Sequence, residues 1–169
     1  MIAFVEGVVV EIRENSVIVQ SGGFGLEVLA PKPTLMTCRR AEALRLTTHL
    51  VIKEDSWSLY GFNDPDMHRL FTYLISVSGI GPKLALAMLS ALPTTLLAEA
   101  ILKGDAALLA SSPGVGKKMA ERIVLDLKNK LPEELMAKSG AARAGPIMSQ
   151  AGQDAVEALL ALGYRETQV

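Results

Sequence analysis

Two short glycine-containing segments have the residue types and spacing to bind phosphate. Residues 79–85 have the sequence GIGPKLA and residues 114–120 have GVGKKMA, so one pattern occurs twice. Alternate glycines permit positive φ and the close approach of another backbone. An apolar helical run follows each loop, and the free N–H groups at a helix N-terminus bind anions. Two such loops in one unit predict binding to two stretches of a polyphosphate chain, which indicates nucleic acid.

Basic side chains follow both loops closely, and they complete the candidate phosphate site. A plain solvated surface is the alternative interpretation of these side chains, and an ordinary helix–helix turn is the alternative for a single loop. The duplication, with a lysine at equal offset, favours phosphate contact. The candidate residues are Gly79, Gly81, Lys83, Gly114, Gly116, Lys117, Lys118 and Arg122.

Other phosphate and catalytic motifs fail on inspection. A P-loop would need glycine at Ser111 and serine or threonine at Lys118. A dinucleotide fingerprint would need glycine at Leu84 and a preceding strand. No histidine, cysteine and carboxylate cluster has metal spacing, and no nucleophile–base set or spaced acid pair stands out. The sequence therefore predicts no cofactor, no metal and no catalytic residue.

Composition indicates a globular chain. Half of the 169 residues are hydrophobic and 21% are charged. The net charge of −1 at first weighs against nucleic acid. However, a loop that binds phosphate through backbone N–H groups needs few lysines, so a local basic rim is compatible with a neutral total.

Cysteine content and hydropathy favour a cytoplasmic protein. The single cysteine, Cys38, permits no intrachain disulfide and fits a reducing compartment. The N-terminus lacks the basic region of a signal peptide. The longest uncharged run, residues 84–98, contains Pro93 and is too short to span a membrane.

Residues 1–62 have the pattern of a small β domain. Segments rich in β-branched residues alternate with turn residues at 2–12, 17–19, 24–29, 44–52 and 57–62. Residues 31–38 are compatible with a short helix or a loop. Five strands with one interruption predict an OB-like Greek-key barrel.

Residues 63–138 change to helical periodicity. Asp64 and Pro65 predict a helix start, and the helix ends at the first glycine loop. Pro82 begins a second helix that stops before Pro93. Further helices are predicted from 94 or 95 to 103, at 105 and after, and from 117 to 131. The unit helix–loop–helix therefore occurs twice.

The remaining residues divide into a predicted linker and a helix. Residues 139–153 are small and contain glycine and proline, which is typical of a flexible linker. Residues 154–162 fit one amphipathic helix, which cannot bury its own apolar face. Residues 154–169 are therefore predicted to be the start of a truncated or incomplete helical module.

Glu54 and Asp55 lie between the last two predicted strands. Their simplest interpretation is a soluble turn, but in a DNA-binding protein two carboxylates would repel phosphates. Trp57 and Tyr60 follow, and we interpret both as core or interface side chains rather than as base-stacking residues.

The order of these features resembles the RuvA family of bacterial Holliday-junction binding proteins. The resemblance extends over essentially the whole chain. A single helix-hairpin-helix motif is weak evidence, but the ordered set is specific. It rests on residues 53–55, 59–62, 78–85, 113–118, 120–122 and 158–164.

This resemblance implies a fold and a function. The implied fold is an OB-like barrel, a tandem helix-hairpin-helix domain, a linker and a UBA-like module, of which about one helix is present. Family members form tetramers, sometimes octamers, that hold a four-way DNA junction open and flat. Glu54 and Asp55 would be the acidic pin, and the loop residues would hold the arms. The implied partners are a hexameric RuvB-type ATPase, recruited through the C-terminal module, and a RuvC-type resolvase.

Two other classes of function remain open. A helix-hairpin-helix nuclease or glycosylase would need a catalytic acid or lysine, and Asp126 has no evident partner for that role. A general DNA-binding or protein–protein adaptor would use the barrel and helices as interfaces.

Overall fold

The computed structural model describes residues 2–132 and residue 135, which fall in one compact unit spanning Met1–Met136. The linker predicted at 139–153 and the helical module predicted at 154–169 lie outside the described residues.

A closed barrel of five strands forms the N-terminal part of this unit, in the order β1-β2-β3-β5-β4. Alternate side chains of the β-branched strands point inward, and Val9, Val19 and Val28 are almost completely buried. Neighbours are antiparallel except β3 and β5, which are parallel and pair only at two positions. The strands are β1 Phe4–Ile12, β2 Ser16–Ser21, β3 Phe24–Leu29, β4 Ala43–Lys53 and β5 Ser56–Phe62.

The predicted barrel is therefore confirmed, and the structure decides the one segment for which the sequence allowed two conformations. Residues 31–38, which fitted either a helix or a loop, contain helix α1, Lys32–Thr37. Pro33 lies in its first turn, where the missing proline N–H breaks no helical hydrogen bond.

Within the described residues, five helices follow the barrel, as predicted. The carboxylate of Asp64 accepts a hydrogen bond of 2.9 Å from the backbone N–H of Asp66, and Pro65 is the first helical residue. This cap fixes the change from strand to helix three residues after β5 ends. The helices are α2 Pro65–Ser76, α3 Pro82–Ala91, α4 Thr94–Lys103, α5 Ala106–Ala110 and α6 Lys117–Leu127.

One helix boundary differs from its prediction. The sequence pattern predicts that α6 extends to Leu131, but the helix ends at Leu127. Beyond it the backbone tightens, and the N–H of Lys130 donates to the carbonyl of Leu127 at 2.9 Å. The N–H of Leu131 also donates to the carbonyl of Leu127 at 3.1 Å, so one further hydrogen-bonded turn separates α6 from Pro132, which disfavours helical geometry at Leu131.

Aromatic packing joins the helices to the barrel. The buried ring of Phe71 in α2 lies 4.8 Å from the ring of Phe62 and 5.3 Å from that of Tyr60, between ring centroids. Tyr60 is buried, so its interpretation as a core residue is confirmed. Trp57 is 77% exposed, so a place in the core was wrong for this residue, and a place in an interface stays a prediction.

His68 makes the stability of this junction between barrel and helices pH-dependent. Its Nε2 is buried without a hydrogen-bond partner among the described residues. Burial lowers the pKa of His68 below its ordinary value of 6.5, and the neighbouring His49 lowers it further. The folded state therefore favours neutral His68, whereas the unfolded chain takes up a proton first as pH falls.

We therefore expect the free energy of unfolding to decrease as pH falls from about 6.5 towards the lower folded-state pKa. The variant His68→Gln should show a weaker pH dependence in this interval, measured by urea unfolding at a series of pH values. His49→Gln should keep most of the dependence, because burial is the larger cause of the shift. Equal slopes for wild type and His68→Gln would contradict this assignment.

Within the described residues, no single helix is long and apolar enough to cross a membrane. The pair α3 and α4 meets the length and composition criteria together, with a bend of 105° at the break.

Candidate nucleic-acid interface

The two glycine loops have nearly the same backbone conformation. Gly79 and Gly114 have positive φ angles of 93° and 81°, a region that other residues adopt only with strain. Gly81 and Gly116 have φ, ψ of −86°, 165° and −84°, 165°. The repeat in the sequence is therefore a repeat of structure.

The aliphatic residue between each pair of glycines anchors its loop. Ile80 and Val115 are 5% and 6% exposed. The N–H of Ile80 donates to the carbonyl of Val77 at 3.0 Å, and the N–H of Val115 donates to that of Ser112 at 3.1 Å. Because the side chain points into the core, the glycines on either side are held at the surface.

Each loop ends at the N-terminus of a helix that has no side-chain cap. Gly81 precedes α3 and Gly116 precedes α6, and neither first turn contains an acidic residue. The first N–H groups of a helix have no partner inside the helix, and the helix dipole makes this end positive. Both ends therefore have the electrostatics of an anion site.

The two motifs pack against each other reciprocally. A Cβ atom added to Gly79 would lie 2.9 Å from Cε of Met119, and one added to Gly114 would lie 3.0 Å from Cδ1 of Leu84. Leu84 and Met119 occupy equivalent positions, each five residues after the first glycine of its own loop. The first glycine of each motif thus contacts the helix of the other. This packing brings the two helix N-termini together in one unit.

The second glycine of each loop faces open space. No heavy atom lies within 4 Å of a Cβ added to Gly81 or Gly116. Their φ angles are also accessible to any residue. Neither backbone conformation nor packing in the free chain therefore requires glycine here, which is consistent with close approach of a ligand.

The predicted basic side chains surround these helix ends. Lys83 is in the first turn of α3, Lys117 and Lys118 are in the first turn of α6, and these side chains reach solvent. Arg122 lies one turn after Lys118 and forms an ion pair with Asp126 at 3.8 Å. Both members of the pair are partly exposed, so the pair contributes little stability and Arg122 can exchange it for a phosphate.

The sequence pattern missed one lysine. Lys32 and Lys83 both line a cleft of about 540 Å³ between the barrel and α3. The backbone N–H of Lys32 donates to Oγ of Ser90 at 3.1 Å, which holds α1 against α3. Because Lys32 is 51 residues from Lys83 and outside the repeat, only tertiary structure brings it to this cleft.

Glu54 and Asp55 form the two-residue tip of the β4–β5 hairpin. The flanking residues Lys53 and Ser56 pair directly, and both carboxylates are exposed. In the part of the chain that the structure describes, neither forms an ion pair. One chain thus carries an acidic region on the barrel and a basic region on α3 and α6.

The described residues contain no cluster of side chains suited to metal-dependent catalysis. No group of three or more His, Cys, Asp or Glu side chains within residues 2–132 and residue 135 could hold a metal ion. The uncapped N-termini of α3 and α6, with exposed basic side chains in their first turns, have the chemistry of anion binding.

Comparisons with known proteins agree with both halves of the fold. Residues 1–61 match the family model described as RuvA N terminal domain, and residues 71–129 match the SAM-like helix-hairpin-helix tandem.

Similar proteins span nearly the whole chain. A relative from Deinococcus radiodurans is 49% identical over 100% of this chain and 86% of its own length. One from Thermus thermophilus is 45% identical over 99% of this chain and 85% of its own. Another, from Corynebacterium aurimucosum, is 44% identical over 98% and 83%. Each is called Holliday junction branch migration complex subunit RuvA. The barrel, the paired glycine loops and these matches establish that the chain belongs to the RuvA family.

Proposed function

We propose that this chain binds four-way DNA junctions as a homotetramer, holds them open and flat, and serves branch migration. The observation that carries the proposal is the reciprocal packing of the two glycine loops, which sets two uncapped helix N-termini side by side. Two positive helix ends in one compact unit suit two phosphate groups of one duplex arm. Membership of the RuvA family supports the four-way junction as the ligand.

In this proposal the loops hold the sugar–phosphate backbone. The N–H groups near Gly81 and Gly116 donate to phosphate oxygens, while Gly79 and Gly114 fix the loops that present them. Lys83, Lys117, Lys118 and Arg122 supply positive charge around these contacts. Phosphate contacts carry little sequence information, so binding depends on the shape of the DNA and not on its base sequence.

The acidic tip supplies the preference for junctions. Four subunits around one axis would bring eight carboxylates, from Glu54 and Asp55, to the centre of the assembly. These charges repel the phosphates of a continuous duplex laid across the centre. An open four-way junction keeps its backbones around the centre and avoids this cost.

Partners follow from the same proposal. A hexameric RuvB-type ATPase would drive branch migration, a RuvC-type resolvase would act on the held junction, and two tetramers facing each other would form an octamer.

The chain itself would be non-catalytic and would act in the cytoplasm. Incubation of the chain with labelled junction and magnesium tests the non-catalytic role: intact DNA is expected, and cleavage would favour the nuclease alternative.

Stoichiometry tests the proposed assembly. Sedimentation of the full chain with a synthetic four-way junction should give complexes of four or eight chains per junction. One or two chains per junction at saturation would contradict the tetramer.

The two kinds of loop glycine are expected to respond differently to alanine. Gly79→Ala with Gly114→Ala should destabilise the fold by about 1–2 kcal/mol at each position, because both require positive φ. Gly81→Ala with Gly116→Ala should leave stability nearly unchanged, because both Cβ atoms would face open space. Gly81→Ala with Gly116→Ala should nevertheless bind the junction at least about tenfold more weakly. The added methyl groups would lie between loop and phosphate, and a loss of about 1.4 kcal/mol in binding free energy corresponds to tenfold.

Thermal unfolding and junction titration of the two double variants measure these effects separately. Each variant is the matched control of the other, because both add two methyl groups to the same loops. Unchanged junction affinity in Gly81→Ala with Gly116→Ala would show that phosphate does not approach this face.

A further inference from the structure

The β4–β5 hairpin extends beyond the wall of the barrel. Strand β4 pairs with β1 through residues 43–47, and its pairing with β5 continues to Lys53. Strand β5 pairs with β3 only at Leu59 and Tyr60. Residues 51–53 and 56–58 therefore form a two-stranded ribbon that no third strand flanks, with Glu54 and Asp55 at its tip.

One face of this ribbon is apolar and exposed. Ile52 and Trp57 are direct cross-strand partners, and they are 62% and 77% exposed. Because side chains alternate along a strand, Ile52 is in phase with Leu46 and Trp57 with Leu59, both of which are buried in the barrel. The apolar stripe that fills the barrel thus continues past its end, where nothing in the described part of the chain covers it.

The charges beside this stripe indicate what covers it. In the proposed tetramer the hairpin tips converge, and carboxylates of neighbouring copies repel one another, which opposes packing of copy on copy. Phosphates are repelled for the same reason. A nucleobase is uncharged and presents a π-face to an aromatic ring, and adenine, cytosine and guanine carry an amino group that can donate to a carboxylate.

We propose that Trp57 stacks on a nucleobase at the crossover of a four-way junction, with Ile52 as its apolar cross-strand neighbour. This inference rests on the proposed function and deepens it by naming a residue that contacts the bases at the junction centre. The acidic tip keeps phosphates away from the centre, and the adjacent indole holds an exposed base face there. Linear duplex keeps its bases stacked and offers no such face.

Fluorescence and affinity test the inference in the full chain. Trp57 is the only tryptophan, so the intrinsic tryptophan signal reports this residue alone. Saturating four-way junction should quench that signal strongly, and saturating linear duplex should quench it little. Trp57→Ala should bind the junction at least about tenfold more weakly, since the loss of one stacked base alone, in the lower part of the known range, corresponds to that factor. Its affinity for linear duplex should be unchanged, and Trp57→Phe should retain most of the junction affinity.

The matched control is Phe24→Ala, which removes an aromatic ring that is 74% exposed at the β2–β3 hairpin of the same barrel. It should bind junction like wild type.

If wild type prefers junction but Trp57→Ala binds junction as tightly as wild type and no quenching occurs, the inference is overturned while the proposed function stands. If wild type shows no preference for junction, the proposed function fails. A tryptophan signal that changes with protein concentration without DNA, with weaker tetramers for Trp57→Ala in sedimentation, would assign the stripe to a second copy and overturn the inference.

Discussion

Lys117→Ala with Lys118→Ala is expected to weaken binding to a four-way junction at least about a hundredfold at low salt, the effect of the two lysines of one subunit alone. Each lysine contributes a charged hydrogen bond worth roughly 1.5 kcal/mol or more when its phosphate is bound. The logarithm of affinity should also depend less steeply on the logarithm of salt concentration, by about 0.9 for each phosphate that is no longer neutralised. Titration of labelled junction at four or more salt concentrations measures both quantities.

The control for this variant is Lys128→Ala with Lys130→Ala. These lysines are exposed and lie beyond the C-terminal end of α6, so the change in net charge is the same but the positions are far from the helix N-terminus. The control should change affinity much less. An unchanged salt slope in the Lys117 and Lys118 variant would refute their contact with phosphate.

Glu54→Gln with Asp55→Asn is expected to keep junction affinity and to raise affinity for linear duplex by at least roughly tenfold, because the charge repulsion that is removed should cost about 1.4 kcal/mol or more. Both substitutions preserve side-chain size and remove charge. Competition of labelled junction against unlabelled duplex measures the discrimination directly.

Neutralising two other exposed carboxylates of the barrel separates local from general electrostatics. Glu14→Gln with Glu42→Gln makes the same change in net charge away from the hairpin tip. This control should discriminate junction from duplex as wild type does. Equal discrimination in wild type and the Glu54 and Asp55 variant would remove the basis for an acidic pin.

Much of the architecture could be predicted because local signals and tertiary structure agree. The β-branched strands, the Asp64 cap with Pro65, and the two glycine loops each specify one conformation. The end of α6 was predicted four residues too late, because the apolar pattern continues while the backbone tightens before Pro132.

The environments of Trp57 and Tyr60 could not be distinguished from sequence. Trp57 is in phase with the buried Leu59, so periodicity alone predicts an inward side chain. Its exposure depends on where the barrel wall ends, which is set by the pairing of β1 and β3 with distant strands.

The candidate site was predictable as a set of residues but not as an arrangement. The repeat identifies Gly79 and Gly114 as equivalent, yet it does not reveal that each packs on the helix of the other motif. Nor does it distinguish these positive-φ glycines from Gly81 and Gly116, which face open space. Lys32 carries no local signal at all and reaches the cleft beside Lys83 only through the packing of α1 on α3.

The most direct measurement is a gel-shift competition between a synthetic four-way junction and linear duplex of equal length, at two salt concentrations. If the glycine loops bind phosphates of all four arms and the carboxylates at the centre repel continuous duplex, the chain should strongly prefer the junction. Its affinity should also fall steeply at the higher salt concentration. Equal binding to the two DNAs would contradict junction recognition and leave a general helix-hairpin-helix DNA-binding protein, and binding to neither would leave a protein–protein adaptor.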